Sequence, residues 1–327
     1  MDGNQTYAQL QFRRRGVTHT ERMGLLSIQG GAVMTILRDL PIGARIREVY
    51  SGTIFIVADH MHTGWLGTTI VSEAAAKISC IDAAEPNNPD DGIKHNGNNR
   101  YSLSNLHQWL NSDSDNWYKP AHEYDAPPTE DAISMRTDVF ESTKYDKDAL
   151  LPGPYAYDTE PGYLARFSPE FTASIIESKI PCFGQPIDPD IIHFGPPNAE
   201  EVPCKAFILS AAEIGLEDEP RWEGYLVRLF RDPRYRMCAP ESAAIHRESD
   251  YIYKQSALAT WVRSPLGGSS CMGKIYQAEH KFGDVVGATL MPHPVNYAAA
   301  IRPVMNLSDD IKIGKRDELG VYELIFN

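Results

Sequence analysis

Four things are missing from this chain of 327 residues. It has no long hydrophobic run; the longest apolar stretches, such as residues 70–76, are far too short to cross a bilayer. Its start, Met1-Asp2-Gly3-Asn4-Gln5, lacks the basic and apolar segments of a secretory signal. Paired cysteines are also missing. Cys80, Cys182, Cys204, Cys238 and Cys271 are odd in number, widely spaced and never C-x-x-C, which argues against a zinc ribbon or thioredoxin motif. Buried free thiols in a reducing cytoplasm are the simpler expectation. Finally, positive charge is short. A net charge of −13 makes the chain a poor general binder of nucleic acid, because phosphate neutralisation needs a basic face.

The charge that is present is uneven. Arg13, Arg14, Arg15 and Arg22 against Asp2 and Glu21 leave residues 1–33 at +2 and the remainder at −15. These residues read as a basic arm, with Arg13, Arg14 and Arg15 suited to anchoring on an acidic partner or a second copy. The body has 42% hydrophobic and 23% charged residues, enough to build a core without disorder as its main state.

The segment 34–50 alternates through Ala44-Arg45-Ile46-Arg47-Glu48-Val49 and turns at Ser51-Gly52. The β-branched run Thr53-Ile54-Phe55-Ile56-Val57-Ala58 then predicts a buried strand closing a hairpin. Ser72-Glu73-Ala74-Ala75-Ala76-Lys77 predicts a short serine-capped helix. Residues 82–99 predict a loop, and Leu103, Leu106 and Leu110 beside Trp109 an amphipathic helix. Residues 112–162 and 182–203 read as loops. Ser168-Pro169-Glu170 starts a helix by cap and first-turn proline. Ser210-Ala211-Ala212-Glu213 fits a capping box, and residues 223–230 carry helical spacing. The last hundred residues change to short strands at 260–264, 273–278, 284–290, 299–307 and 321–326. Helices first and strands last predict an α+β class, with short antiparallel strands and long loops in the C-terminal part, and exclude alternating βαβ.

The chemical motifs are sparse. Gly267-Gly268-Ser269-Ser270 lacks the lysine and following helix of a phosphate loop. His60 and His62 would share a face of a strand, but no third ligand stands nearby, so no metal is assigned. Asp82, Glu85, Asp90 and Asp91 lie in one loop without EF-hand spacing. No G-x-S-x-G elbow and no distinctive carboxylate pair appears. Neither a catalytic set nor a cofactor is therefore assigned. The distinctive segment is Trp261-Val262-Arg263-Ser264-Pro265, where Trp and Arg two apart share a strand face and Pro265 ends the strand. Arg302-Pro303 repeats the arrangement later. Arginines in apolar strands predict buried hydrogen-bonding scaffolds.

These segments carry a resemblance. Leu40-Pro41-Ile42-Gly43, the run from Gly97 to Asn105, Trp109-Leu110-Asn111, Gly162-Tyr163-Leu164 with Phe167-Ser168, Phe207 to Gly215, Trp261 to Pro265 and Ile301 to Leu307 together resemble a family of unknown function from phages and prophages of Firmicutes. The similarity runs over residues 34–312, leaving 1–33 as an arm and 313–327 as a tail with a closing strand. More distantly, the Trp-Arg-Ser-Pro and Arg-Pro signatures are similar to the C-type-lectin-like fold of formylglycine-generating enzymes and phage variable proteins. Glu85-Pro86-Asn87 matches the sugar-binding tripeptide of true C-type lectins but lies far upstream of its usual place.

The resemblance implies a bacteriophage virion protein that works by binding rather than catalysis. It would sit on the tail or particle surface as a homo-oligomer, contacting a host-surface glycan or protein or a neighbouring virion protein. The alternatives are a capsid decoration protein anchored by its arm, and an enzyme of the formylglycine-generating kind. The latter needs a cysteine pair, where only Cys271 stands, with Cys238 well upstream. Candidate contact residues are Tyr276, His293, Asn296 and Tyr297 at the strand-rich end, with Trp65 and Trp117 as further exposed aromatics.

Overall fold

A computed structural model of the chain describes residues 35–134, 157–183, 199–217, 223–238, 258–266, 269–281 and 284–326. The arm with Arg13, Arg14 and Arg15, and the Gly267-Gly268 pair, lie outside the described residues. Residues 35–327 gather into one compact unit.

Strands dominate from the start. β1 (Arg45–Arg47), β2 (Ile54–His60), β3 (Thr68–Ser72) and β4 (Lys77–Ser79) all precede the first helix. Next come α1 (Asp91–Asn96), α2 (Asn105–Leu110), α3 (Pro169–Ser174), β5 (Ile175–Ile176), β6 (Ser178–Phe183), β7 (Ala199–Cys204) and β8 (Ala206–Phe207). β9 (Thr260–Pro265), β10 (Met272–Lys281), β11 (Asp284–Pro294), β12 (Ala299–Ile301), β13 (Val304–Leu307), β14 (Lys312–Arg316) and β15 (Val321–Ile325) finish the chain. The expected α+β, C-type-lectin-like arrangement with helices in the first part is thus corrected to a mostly β protein. Its α-helices among the described residues are three pieces of six residues each.

The physical reason is clearest at residues 72–77. The alanine run has high helix propensity, but its backbone is committed elsewhere. Ser72 N donates to Pro303 O, Glu73 N to Ile54 O and Ala76 N to Ile301 O. Tertiary pairing wins, and the segment becomes a bend joining β3 to β4. Likewise residues 182–183 and 199–203, part of a segment expected as loop, belong to the β6–β7 ribbon, in register from Ser178↔Cys204 to Phe183↔Ala199. The helical spacing at 223–230 yields only a 3₁₀ turn at Arg228–Arg231.

Eight strands form a mixed sheet in the order β14-β15-β1-β2-β3-β13-β5, with β8 also on β13. The expected closing strand is β15, which pairs in parallel with β1. β14 was not foreseen; it pairs antiparallel with β15. The second sheet runs β11-β10-β9-β12-β4. One hydrophobic cluster spans both, including Phe55, Phe171, Phe207, Trp109 and Trp261. Every residue of β9 is buried, so the Trp261 face and its opposite are both core. Ser168 caps α3 as expected, accepting from Phe171 N, with Pro169 in the first turn.

Candidate functional site

An open cleft of about 90 Å³ among the described residues has charged and polar side chains in its walls. Its walls come from the start of β2 (Thr53, Ile54), the end of β3 (Ser72), the bend Glu73 to Ala76, and the 3₁₀ turn Tyr163–Arg166.

Two charge groups frame the cleft. Glu73 is buried, and Arg45 on β1 grips both its oxygens, Nε to Oε1 at 2.9 Å and Nη2 to Oε2 at 2.7 Å. That bidentate fork neutralises the carboxylate and fixes it. On the other side Lys77 Nζ binds Glu160 Oε2 and lies 5.1 Å from the Trp109 ring centroid. The Arg166 guanidinium stacks 4.7 Å from the Tyr163 ring and 5.9 Å from Trp109, a cation–π seat. Its Nη2 stands 3.9 Å from Glu160 Oε1, too long for a hydrogen bond. Trp109 is held by Nε1 donating to Pro161 O at 3.2 Å. Two buried atoms here lack hydrogen-bond partners, the Tyr163 hydroxyl and Glu160 Oε1. Burial pushes the Tyr163 hydroxyl pKa up, against the opposing charge of Arg166, so the group stays a neutral O–H donor.

The residues singled out from sequence lie elsewhere. Trp65 and Trp117, expected exposed, are buried. Trp65 packs on His62 at 4.4 Å and Phe207 at 5.0 Å, and Trp117 on Tyr118 at 6.1 Å. Tyr276 is buried too, and burial raises its hydroxyl pKa while Arg302 opposes. His293 and Tyr297 do come together, ring centroids 5.0 Å apart. Asn296 beside them is buried, donating to His95 O at 3.1 Å. The four loop carboxylates scatter. Asp82 accepts from Asn98 N and Asn105 N, Glu85 lies 3.2 Å from His122, Asp90 caps α1, and Asp91 sits 3.5 Å from His95. Among the described residues no group of three or more His, Cys, Asp or Glu could hold a metal ion.

The signature arginines are both buried and engaged with protein atoms. Arg263 donates Nε to Pro181 O, Nη1 to Ile208 O and Glu213 Oε2, and Nη2 to Glu213 Oε1 and Glu223 O. All five donors of the guanidinium are used. Arg302 donates Nε to Ser72 O at 2.9 Å and Nη1 to Tyr235 O at 2.5 Å, while Nη2 has no partner. It therefore ties β3, at the lip of the cleft, to the residues around Tyr235. Pro265 faces Gly273 at a register shift, and the Pro303 carbonyl receives Ser72 N.

A second buried ionic group was also missed. His62 Nδ1 lies 2.9 Å from Asp59 Oδ2, and Arg228 Nε 2.7 Å from Oδ1. Burial pushes the Asp59 carboxyl upward, but His62 and the N–H groups of Arg228 and His60 outweigh it and hold its pKa below the ordinary value. A depressed carboxyl contributes stability that is present above its unfolded pKa and lost as pH falls through the folded one. Asp59→Asn should therefore cost about 1–3 kcal/mol at pH 7 and flatten the acid side of a stability–pH curve. Parallel acid limbs for the two proteins, measured by urea unfolding, would refute the assignment.

Residues 67–309 match the model of a family described as a domain of unknown function (DUF6273). The chain belongs to that family. No curated protein and no solved structure matches it. The DUF6273 span includes Ser72 to Ala76, Tyr163 and Arg166 of the cleft, as well as both signature arginines. Arg45 and the Gly52–Ile54 wall precede it. Among the described residues no helix is long and apolar enough to cross a membrane.

The cleft residues left two faint traces in the sequence. Gly162-Tyr163-Leu164 stood out as a family segment, and Lys77 followed an alanine run. Nothing local, however, could bring Lys77 to Glu160, 83 positions later.

Proposed function

We propose that this DUF6273 protein is a binding module carried on a bacteriophage particle, where it contacts the host surface or a neighbouring virion protein. The observation that carries the binding half is the cleft. Arg166 and Tyr163 line it, while its one wall carboxylate, Glu73, is already neutralised by Arg45. Such a surface can hold a polar group, and Glu73, with both oxygens held by Arg45, is not free to take a proton. Cys80 and Cys182 are disfavoured as nucleophiles as well, since burial pushes their thiols up to about 12 and the thiolate is the reactive form. The phage half rests on the resemblance of the segments from Leu40 to Leu307 to phage and prophage proteins.

Antibodies against the folded unit should label purified phage particles released by the cells that encode the chain. Electron microscopy then reads tail, baseplate or capsid directly. Protein abundant in the lysate but absent from washed particles would overturn the virion assignment.

A further inference from the structure

We infer that the cleft between Glu73 and Arg166 receives the carboxylate of an acidic sugar. The inference rests on the binding half of the proposal above and is independent of where the protein is carried.

The volume sets the first limit. About 90 Å³ has room for a carboxylate and the carbon that bears it, and the cleft is open, so the rest of a sugar can lie at its mouth. The charges set the second. Arg166 is seated on two aromatic rings, and its ion-pair partner Glu160, which Lys77 binds through the other oxygen, stays 3.9 Å away. A planar fork held in place, with no hydrogen bond to that partner, suits a carboxylate, which accepts two parallel N–H groups. Glu73 would repel such an anion were it free, but Arg45 closes both of its oxygens. Arg45 is matched by Glu73 and Lys77 by Glu160, so Arg166 leaves the site with one positive charge in excess. Screening over about 8 Å at physiological salt keeps the −13 of the whole chain from deciding the local sign.

The third limit is the hydrogen-bond account. The Tyr163 hydroxyl is buried without a partner, and leaving such a group unpaired costs about 1–3 kcal/mol. Tyr163 lines the cleft, so an acceptor that reached its hydroxyl would recover that cost. The methyl groups of Ala74, Ala75 and Ala76 line the same space and suit the carbon skeleton behind the carboxylate.

A sugar is favoured over a protein carboxylate by what stands at the rim. The turn leading into the Gly52–Thr53 wall carries Tyr50, 74% exposed, and Val49, 58% exposed. The buried Glu48 carboxylate pins this turn by accepting Tyr50 N at 3.1 Å and Ser51 N at 2.7 Å. An exposed aromatic on a fixed turn is a platform for the apolar face of a pyranose, at low entropy cost.

The test uses the full chain and three probes: glucuronic acid, glucose, and a short peptide whose only carboxylates are glutamate side chains. Binding is read by ligand-observed NMR. Glucuronic acid should bind and glucose should not. Arg166→Gln should weaken glucuronic acid about tenfold or more. Tyr50→Ala should weaken it too, while leaving the melting temperature unchanged because Tyr50 is exposed. Folding of Arg166→Gln is checked by the same melt, and Arg166→Lys serves as a second variant that keeps charge but loses the fork. Three results would each overturn the inference: glucose bound as well as glucuronic acid, the glutamyl peptide bound as well as glucuronic acid with Tyr50→Ala silent, or no carboxylate bound by the folded protein. None of these touches the particle-labelling result, so the two proposals fail separately.

Discussion

Arg263→Met should cost about 3–5 kcal/mol of stability, the loss typical when one member of a buried ion pair is removed. The side chain is 2% exposed and its partner Glu213 0%. Removing the guanidinium leaves a buried carboxylate held by Ser210 N at 3.0 Å, and strands the carbonyls of Pro181, Ile208 and Glu223. Space around Glu213 is already tight. A Cβ at Gly224, where φ is +109°, would lie 2.2 Å from Glu213 Oε1, so the carboxylate has little room to move toward water. The double variant Arg263→Met with Glu213→Gln should recover a large part of the loss, since it removes the unpaired charge along with its partner. Urea unfolding of wild type, both singles and the double measures the coupling. A single-variant loss below about 1 kcal/mol would mean that the network is not the clamp that its geometry describes.

The same network shows what the sequence made legible and what it did not. Ser210 and Glu213 do form the reciprocal contacts of a capping box: Glu213 N donates to Ser210 Oγ at 3.1 Å and Ser210 N to Glu213 Oε2. No helix follows, because Glu213 is also Arg263's partner and the chain turns back at Gly215, φ +71°. A local motif was readable; its long-range employment was not. The strands β2, β9, β10 and β11 were legible because β-branched and aromatic residues concentrate there, and α3 because Ser168-Pro169 is a local cap. The β6–β7 ribbon carries Pro181 and Pro203 and alternates weakly, so composition pointed to loop. The cleft was hidden for a different reason. Arg45, Glu73, Glu160 and Arg166 are ordinary surface-type residues, and only tertiary folding, with β2 between β1 and β3 and the Tyr163–Arg166 turn packed near them, makes them neighbours. Aromatics chosen for a contact role, Trp65, Trp117 and Tyr276, proved to be core, as large rings usually are when a sheet has two covered faces.

Trp261→Ala should cost a similar amount, about 3–5 kcal/mol, as expected for deleting a large aromatic from a packed core. Trp261 is 1% exposed. Its Nε1 is shared between Ser79 O at 3.1 Å and Tyr297 O at 3.2 Å, so one side chain ties β9 to β4 and to the turn that carries Asn296 and Tyr297. Gly273 on β10 leaves it room: a Cβ there would sit 3.1 Å from Trp261 Cζ3. Trp261→Phe separates the two contributions. It keeps most of the ring but loses the donor, and should cost about 1–3 kcal/mol for two buried carbonyls left without it. Thermal melts distinguish the variants, and hydrogen exchange at Ser79 and Tyr297 should rise in both. If Phe proved as damaging as Ala, the hydrogen bond rather than the ring volume would be the tie. Trp261 and Arg263 lie two residues apart on one buried strand yet hold different neighbours, Trp261 the second sheet and Arg263 the β6 ribbon and the Ser210–Glu223 segment. Their losses should therefore add to within about 0.5 kcal/mol. A larger coupling would show that β9 transmits strain between the two, and that the Trp-Val-Arg-Ser-Pro segment acts as one clamp instead of two.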